Sequence, residues 1–150
     1  MKGQITDSTW DSTISVPFCI PQTELRSVSG EGDSVLVSAL KLSSGQKLKI
    51  RWLGLHVPRD FYGSGTLDRL IDEYPAVYCG LYAGEFSNIL KPAGRPLLWA
   101  GLEGTGYTQA NVVYDPAVFS SPDTYTILLI NNLKNYTIEA SVSGCFRVYT

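Results

Sequence analysis

The clearest pattern in the chain is an alternation with a period of two at its C-terminal end. Tyr136, Ile138, Ala140, Val142, Gly144, Phe146 and Val148 fall on one face, and Thr137, Glu139, Ser141, Ser143, Cys145, Arg147 and Tyr149 on the other. Successive side chains of a strand point to opposite faces, so this stretch predicts a long strand with one buried face and with Gly144 as a bend or bulge point. A second long strand is predicted over Gln46 to Val57. Leu48, Ile50 and Trp52 face one way and Lys47, Lys49 and Arg51 the other, after which Leu53, Leu55 and Val57 make the second face apolar as well. A strand half exposed and then covered on both sides points to the edge of a larger packing layer. Ser34 to Leu42, rich in Val and Leu, precedes it across the turn Leu42-Ser43-Ser44-Gly45-Gln46, and the two segments are predicted to form a hairpin.

Ile14, Val16, Phe18 and Ile20 alternate with Ser15, Pro17 and Cys19. Pro17 cannot donate to a ladder, which assigns this strand to an edge or to an arm lying on another surface. Further strands are predicted over Ala76 to Tyr82, Pro96 to Ala100, Gln109 to Tyr114 and Tyr125 to Ile130, with Asp115-Pro116 and Ser121-Pro122-Asp123 as turns and Asn131 to Asn135 as a short connection. One short helix is predicted over Thr66 to Tyr74: Thr66 caps it, Asp68 lies in its first turn, and Leu67, Leu70, Ile71 and Tyr74 share a face before Pro75 ends it. About eight short strands with turns every ten to fifteen residues or so predict an all-β fold, an antiparallel β-sandwich of jelly-roll or other Greek-key type with one short helix. An up-and-down barrel is the alternative. The predicted core comprises Leu48, Ile50, Trp52, Val77, Leu128, Ile130, Ile138, Val142, Phe146 and Val148.

With 150 residues the chain has the size of one domain and needs no staples to support a core. No repeat or low-complexity tract divides it, so residues 14–150 are assigned to a single β-sandwich domain and residues 1–13 to an N-terminal arm. Charged residues make up 17 % of the chain, below the roughly 25 % of an average soluble domain. The net charge of −2 gives no basic excess for a phosphate backbone, so nucleic acid is excluded as the expected partner. Lys41, Lys47, Lys49 and Arg51 nevertheless fall close together, while Asp68, Asp72 and Glu73 cluster further on. They read as two solvated faces, or as complementary patches that meet between subunits. Cys19, Cys79 and Cys145 form no CxxC and read as buried free thiols, with one disulfide and one spare thiol as the alternative. The N-terminal stretch has no apolar core of a signal peptide, and no apolar run is long enough to span a bilayer. No membrane association is expected.

Little in the sequence points to catalysis. His56 is the only histidine, which rules out a histidine-rich metal site. Asp68 and Asp72 share a helix face in the predicted helix, where solubility and the helix dipole account for them. Gly63-Ser64-Gly65 and the stretch from Gly101 to Gly106 lack the lysine and the strand-to-helix setting of a phosphate cradle. No cofactor, metal or catalytic residue is expected.

The aromatics carry more information. Trp10, Trp52 and Trp99 accompany nine tyrosines, and tyrosine and tryptophan suit interfaces because a rigid apolar ring ends in a polar tip. Trp10 lies in a polar stretch without periodic neighbours. The expectation is that the arm leaves the sandwich and reaches a neighbouring chain, with Trp10, Ile5, Tyr107 and Trp99 as partner-binding residues. Together these features point to a non-enzymatic structural protein that assembles with other protein subunits, a homo-oligomer or a component of a shell. Its most specific form is a virion capsid decoration, or cement, protein assembled in the host cytoplasm. The alternative is a carbohydrate-binding module or lectin-like sandwich, in which Trp99, Tyr82 or Tyr107 stacks on sugar rings beside Asn88, Gln109 and Asn111.

Overall fold

The period-two segments become strands in a computed structural model, which describes residues 4–5, 16–20, 26–28, 33–58, 69–89, 95–102, 108–120, 123–134 and 136–149. The strands are β1 (Gln4–Ile5), β2 (Val16–Ile20), β3 (Arg26–Val28), β4 (Ser34–Lys41), β5 (Lys47–His56), β6 (Val77–Ala83), β7 (Leu98–Leu102), β8 (Gln109–Phe119), β9 (Thr124–Asn131) and β10 (Ile138–Tyr149). One sheet has the order β1-β4-β9-β6-β7, and the other β2-β10-β5-β8 with β3 also paired to β10. Every pairing is antiparallel except β1 with β4.

Apart from the two-residue β1, this is a jelly roll. From β4 onward the chain crosses between the sheets at every connection but one, β6 to β7, which pair with each other. The predicted hairpin between Ser34–Leu42 and Gln46–Val57 is therefore corrected: its two strands lie in different sheets. The turn itself is as tight as its sequence suggests. The Gln46 amide donates to the Ser43 carbonyl at 3.0 Å, the Ser43 amide donates to Gln46 Oε1 at 2.8 Å, and Gly45 takes a φ of 82°, a value that glycine adopts without steric cost. The strand before the turn is held away from β5 by β9, with Leu40 opposite Tyr125 and the Leu42 amide donating to the Asp123 carbonyl.

Between the sheets, Leu48, Ile50, Leu53 and Leu55 of β5 and Val142, Phe146 and Val148 of β10 pack with Cys79 and Leu81 of β6 and Leu129 of β9. A smaller apolar cluster covers the opposite face of the first sheet: Tyr78, Tyr82, Leu128 and Ile130, overlaid by Tyr74, Phe86 and Ile89. Leu128 and Ile130, predicted for the central core, are buried in this outer layer instead. β6 is covered on both faces, which explains its unbroken apolar sequence.

Trp52 is also displaced from its predicted place. The registers of β5 run from Ile50 to Trp52 against Phe146 and Cys145 on one side, and against Ala117 and Val113 on the other, leaving Arg51 unmatched. One extra residue resets the alternation, so the residues after it change face. Leu53 and Leu55 thereby join Leu48 and Ile50 in the core, while half-buried Trp52 turns to the outer face. There its Cζ3 would stand 3.2 Å from a β-carbon at Gly54. On β8 the same irregularity absorbs residues 114–116. Asp115-Pro116, predicted as a turn, is an interruption within a single edge strand, a position where proline costs no ladder bond that a neighbour needs.

Three other expectations change. Of the helix predicted over Thr66 to Tyr74, residues 66–68 lie outside the described residues and residues 69–74 form bends and a turn. Their backbone groups are claimed from outside: Leu70 donates to the Asn132 carbonyl, Ile71 donates to Asn132 Oδ1, and Arg69 bridges to Leu133. The only helical turn among the described residues is the 3₁₀ turn Phe86–Asn88. Of the cysteines, Cys79 is a buried free thiol, whereas Cys145 is disulfide-bonded, and the residue opposite it on β2 is Cys19. Of the arm, Gln4 and Ile5 pair with Ala39 and Leu40. At these two residues the chain runs along its own sheet, where the sequence placed it off the sandwich. No helix among the described residues is long and apolar enough to cross a membrane.

Candidate functional site

β7 ends the first sheet and β8 the second, and the two edges lie on the same flank of the sandwich. The Tyr114 hydroxyl of β8 donates to the Trp99 carbonyl of β7 at 2.8 Å, tying the edges together. Burial raises the Tyr114 phenol well above the ordinary tyrosine value, with Cys79 nearby adding to the shift. Most of the large apolar side chains that the described residues leave exposed are on this flank. Leu97 and Trp99 belong to the β7 side, and Val113 and Val118 to β8, with Val113 80 % exposed. The strand pattern accounts for their positions. Leu98 and Ala100 pack inward, so Trp99 points outward. Val113 and Val118 are cross-strand neighbours of Trp52 and Lys49 on the outer face of the second sheet.

That outer face is basic toward one end. Lys47 stands opposite Tyr149, and Lys49 opposite Arg147. The Lys49 ammonium lies 5.4 Å from the Tyr149 ring centroid, within cation–π range. At the bulge, Lys49, Ile50, Arg51, Val113, Tyr114 and Arg147 surround an open depression of about 290 Å3.

The Cys79 thiol donates to the Gly54 carbonyl at 3.7 Å between the sheets, and burial pushes its pKa up to about 12. A thiol held protonated is a poor nucleophile. Burial likewise pushes Tyr78 up to about 12 and raises Tyr82 further, with the neighbouring Tyr78 contributing. His56 ends β5 opposite Ser141 and Gln109. Among the described residues no group of His, Cys, Asp or Glu side chains is placed to hold a metal ion.

Of the residues singled out in the sequence, Trp99 is on the exposed flank, and the backbone of Ile5 lies beside β4 on the far edge of the first sheet. Trp10 and Tyr107 lie outside the described residues. Of the sugar-stacking candidates, Tyr107 lies outside the described residues and the other two are not placed beside Asn111. Tyr82 is buried, and Trp99 and Asn111 project from opposite outer faces of the sandwich. Sequence reasoning missed Val113, Val118 and Arg147. The exposed valines do stand in the sequence as Val112-Val113 and Ala117-Val118, paired apolar positions of which a strand can bury only one. No family model, curated protein or solved structure matches the chain.

Proposed function

We propose that this chain is a non-enzymatic assembly protein, a subunit that joins other protein subunits in a shell and, in its most specific form, decorates a virion capsid. The observation that carries the reading is the β7–β8 flank. Two sheet edges end there side by side, with Leu97 and Trp99 exposed at the edge of the first sheet and Val113 and Val118 on the outer face of the second. An open strand edge offers unpaired backbone groups, and a set of exposed apolar side chains beside it gains by removal from water. Soluble chains usually blunt such edges, so a flank left apolar favours a protein partner. A jelly roll adds only an analogy of fold, since the same architecture serves shell proteins and lectins alike.

The test is the mass of the native material containing the chain, combined with a double variant Trp99→Glu and Val118→Lys. The wild-type chain is expected in large assemblies or in concentration-dependent oligomers. The variant is expected to keep its strand signature in circular dichroism and to sediment as a monomer. A wild-type chain that stays monomeric at high concentration and is absent from particle fractions would refute the reading.

A further inference from the structure

The strongest unexplained feature is the depression at the β5 bulge. Three of its lining groups are cations: Lys49 and Arg51 from β5 and Arg147 from β10. The chain as a whole is acidic, with a net charge of −2. Among the side chains that the structure describes, which leave out Asp115, no carboxylate pairs with any of the three and none lines the depression. Like charges gathered around one concavity repel one another, and low-dielectric walls focus the resulting positive potential outward.

Two details distinguish this group from an ordinary solvated row of lysines. First, Arg147 Nε is buried and has no acceptor from the protein. A guanidinium N–H withdrawn from water is unfavourable until an acceptor reaches it, and the fork of donors on arginine fits the oxygens of an oxyanion. Second, the concavity is a product of the bulge. Arg51 has no cross-strand partner, and residues 114–116 bow out of β8 opposite it. Arg51 shares the face of Lys49 by strand alternation, and the bulge brings Trp52 and its neighbour Val113 to that face as well. The Tyr149 ring lies beside the Lys49 ammonium, which limits where that side chain can go.

We propose that this depression binds a multiply charged tetrahedral oxyanion, a phosphate or sulfate group that is either free or carried at the end of a larger ligand. Arg147 and Arg51 donate in-plane hydrogen bonds to its oxygens, and Lys49 supplies a third positive charge. A carboxylate brings one charge on two oxygens, whereas a doubly charged tetrahedral group brings more charge and more oxygens to donors arriving from two strands and so matches three cations better. The site adjoins the flank, since Val113 lines it and Val118 stands opposite Lys49, but Arg51→Gln and Lys49→Gln leave Trp99, Val113 and Val118 unchanged, so anion binding and assembly are read out separately.

The experiment is calorimetric titration of the full chain with inorganic phosphate and inorganic sulfate, at ionic strength held constant with chloride. Arg51→Gln and Lys49→Gln are the test variants, and Lys41→Gln on the other sheet is the control. Saturable binding is expected in the wild type and in Lys41→Gln. Losing one charge-assisted hydrogen bond is expected to weaken it about tenfold or more in Arg51→Gln. Arg51 and Lys41 are exposed and Lys49 is half-buried, and circular dichroism checks that the variants are folded. A sulfated oligosaccharide distinguishes the two sources of the ligand: tighter binding than inorganic sulfate, lost in Arg51→Gln, identifies a tethered group, and binding no tighter than the free ion identifies a free anion. No saturable heat from either inorganic anion in the wild type, or equal binding in Arg51→Gln and the wild type, overturns the proposal.

Discussion

Asn132 and Ile71, 61 residues apart, are joined by a reciprocal pair of hydrogen bonds: the Ile71 amide donates to Asn132 Oδ1 at 3.1 Å, and Asn132 Nδ2 donates to the Ile71 carbonyl at 2.8 Å. The same amide nitrogen donates to the carbonyls of Tyr74 and Pro75. One buried side chain at the end of β9 thus replaces the internal bonds that a helix over Thr66 to Tyr74 would have made. Asn132→Ala would leave several buried backbone groups unsatisfied and is expected to destabilise the fold by about 2–4 kcal/mol. Asn132→Asp, which keeps the acceptor and loses the donors, should be comparably harmful. Urea unfolding monitored by tryptophan fluorescence measures both, and a loss under about 1 kcal/mol in both would show that the turn does not depend on Asn132.

The bulge at Arg51 assigns neighbouring residues unequal weight. Leu53 is fully buried between the sheets, whereas Trp52 is half-buried outside them. Leu53→Ala is expected to cost about 2–5 kcal/mol through a cavity that the surrounding core cannot close. Trp52→Ala removes the larger side chain yet should cost less, about 1–2 kcal/mol, because no enclosed cavity forms. Paired unfolding curves decide the order, and a Trp52 variant less stable than the Leu53 variant would place the indole in the core.

A second bulge, on β4, explains a polar side chain in the core. The register shifts between Leu36 and Ser38, which turns both Val37 and Ser38 inward. Ser38 Oγ and the Tyr125 hydroxyl are buried without a protein hydrogen-bond partner beside a cavity of about 10 Å3. Deleting an unpartnered buried hydroxyl relieves its desolvation, so Ser38→Ala is expected to raise stability by about 1 kcal/mol. Thermal melts of the wild type and the variant test this, with a lowered midpoint as the contrary result.

The buried tyrosines and thiol predict sensitivity to alkali. Cys79 rises from 9.0 to about 12 and Tyr78 from 10.0 to about 12 on folding, in both cases chiefly through burial. Each therefore holds its proton more tightly in the folded chain than in the unfolded one. Their contribution is complete below about pH 9 and is lost progressively as the pH rises through about 12. The urea midpoint is expected to be flat from neutrality to about pH 9 and to fall between there and about pH 12, while phenolate absorbance lags behind that of free tyrosine. A midpoint unchanged at pH of about 11 would contradict the linkage.

The sequence by itself determined the class of fold and most of the strands. Period-two alternation over 136–149 points to a strand with one buried face, and its predicted inward set, Ile138, Val142, Phe146 and Val148, lies in the core, although Ser141 and Cys145 of the other face are buried as well. The alternation survives because β10 pairs along its length without changing its own phase. On β5 the apolar positions were equally visible, but their meaning was not. Leu48 and Ile50 followed by Leu53, Leu55 and Val57 fit either a strand covered on both faces or a strand whose phase slips by one residue. A single chain segment cannot distinguish these, because the slip exists only relative to β10 and β8, whose registers skip Arg51. The same holds for the helix that did not form. Leu67, Leu70, Ile71 and Tyr74 have helical spacing, and local propensity has no means of including the carbonyl and side chain of Asn132, far away in sequence. Tertiary contacts decided both cases. In doing so they placed Arg51 and Lys49 beside Arg147 and turned Val113 outward, so the candidate sites arise at points where the local pattern is interrupted by pairing with distant strands.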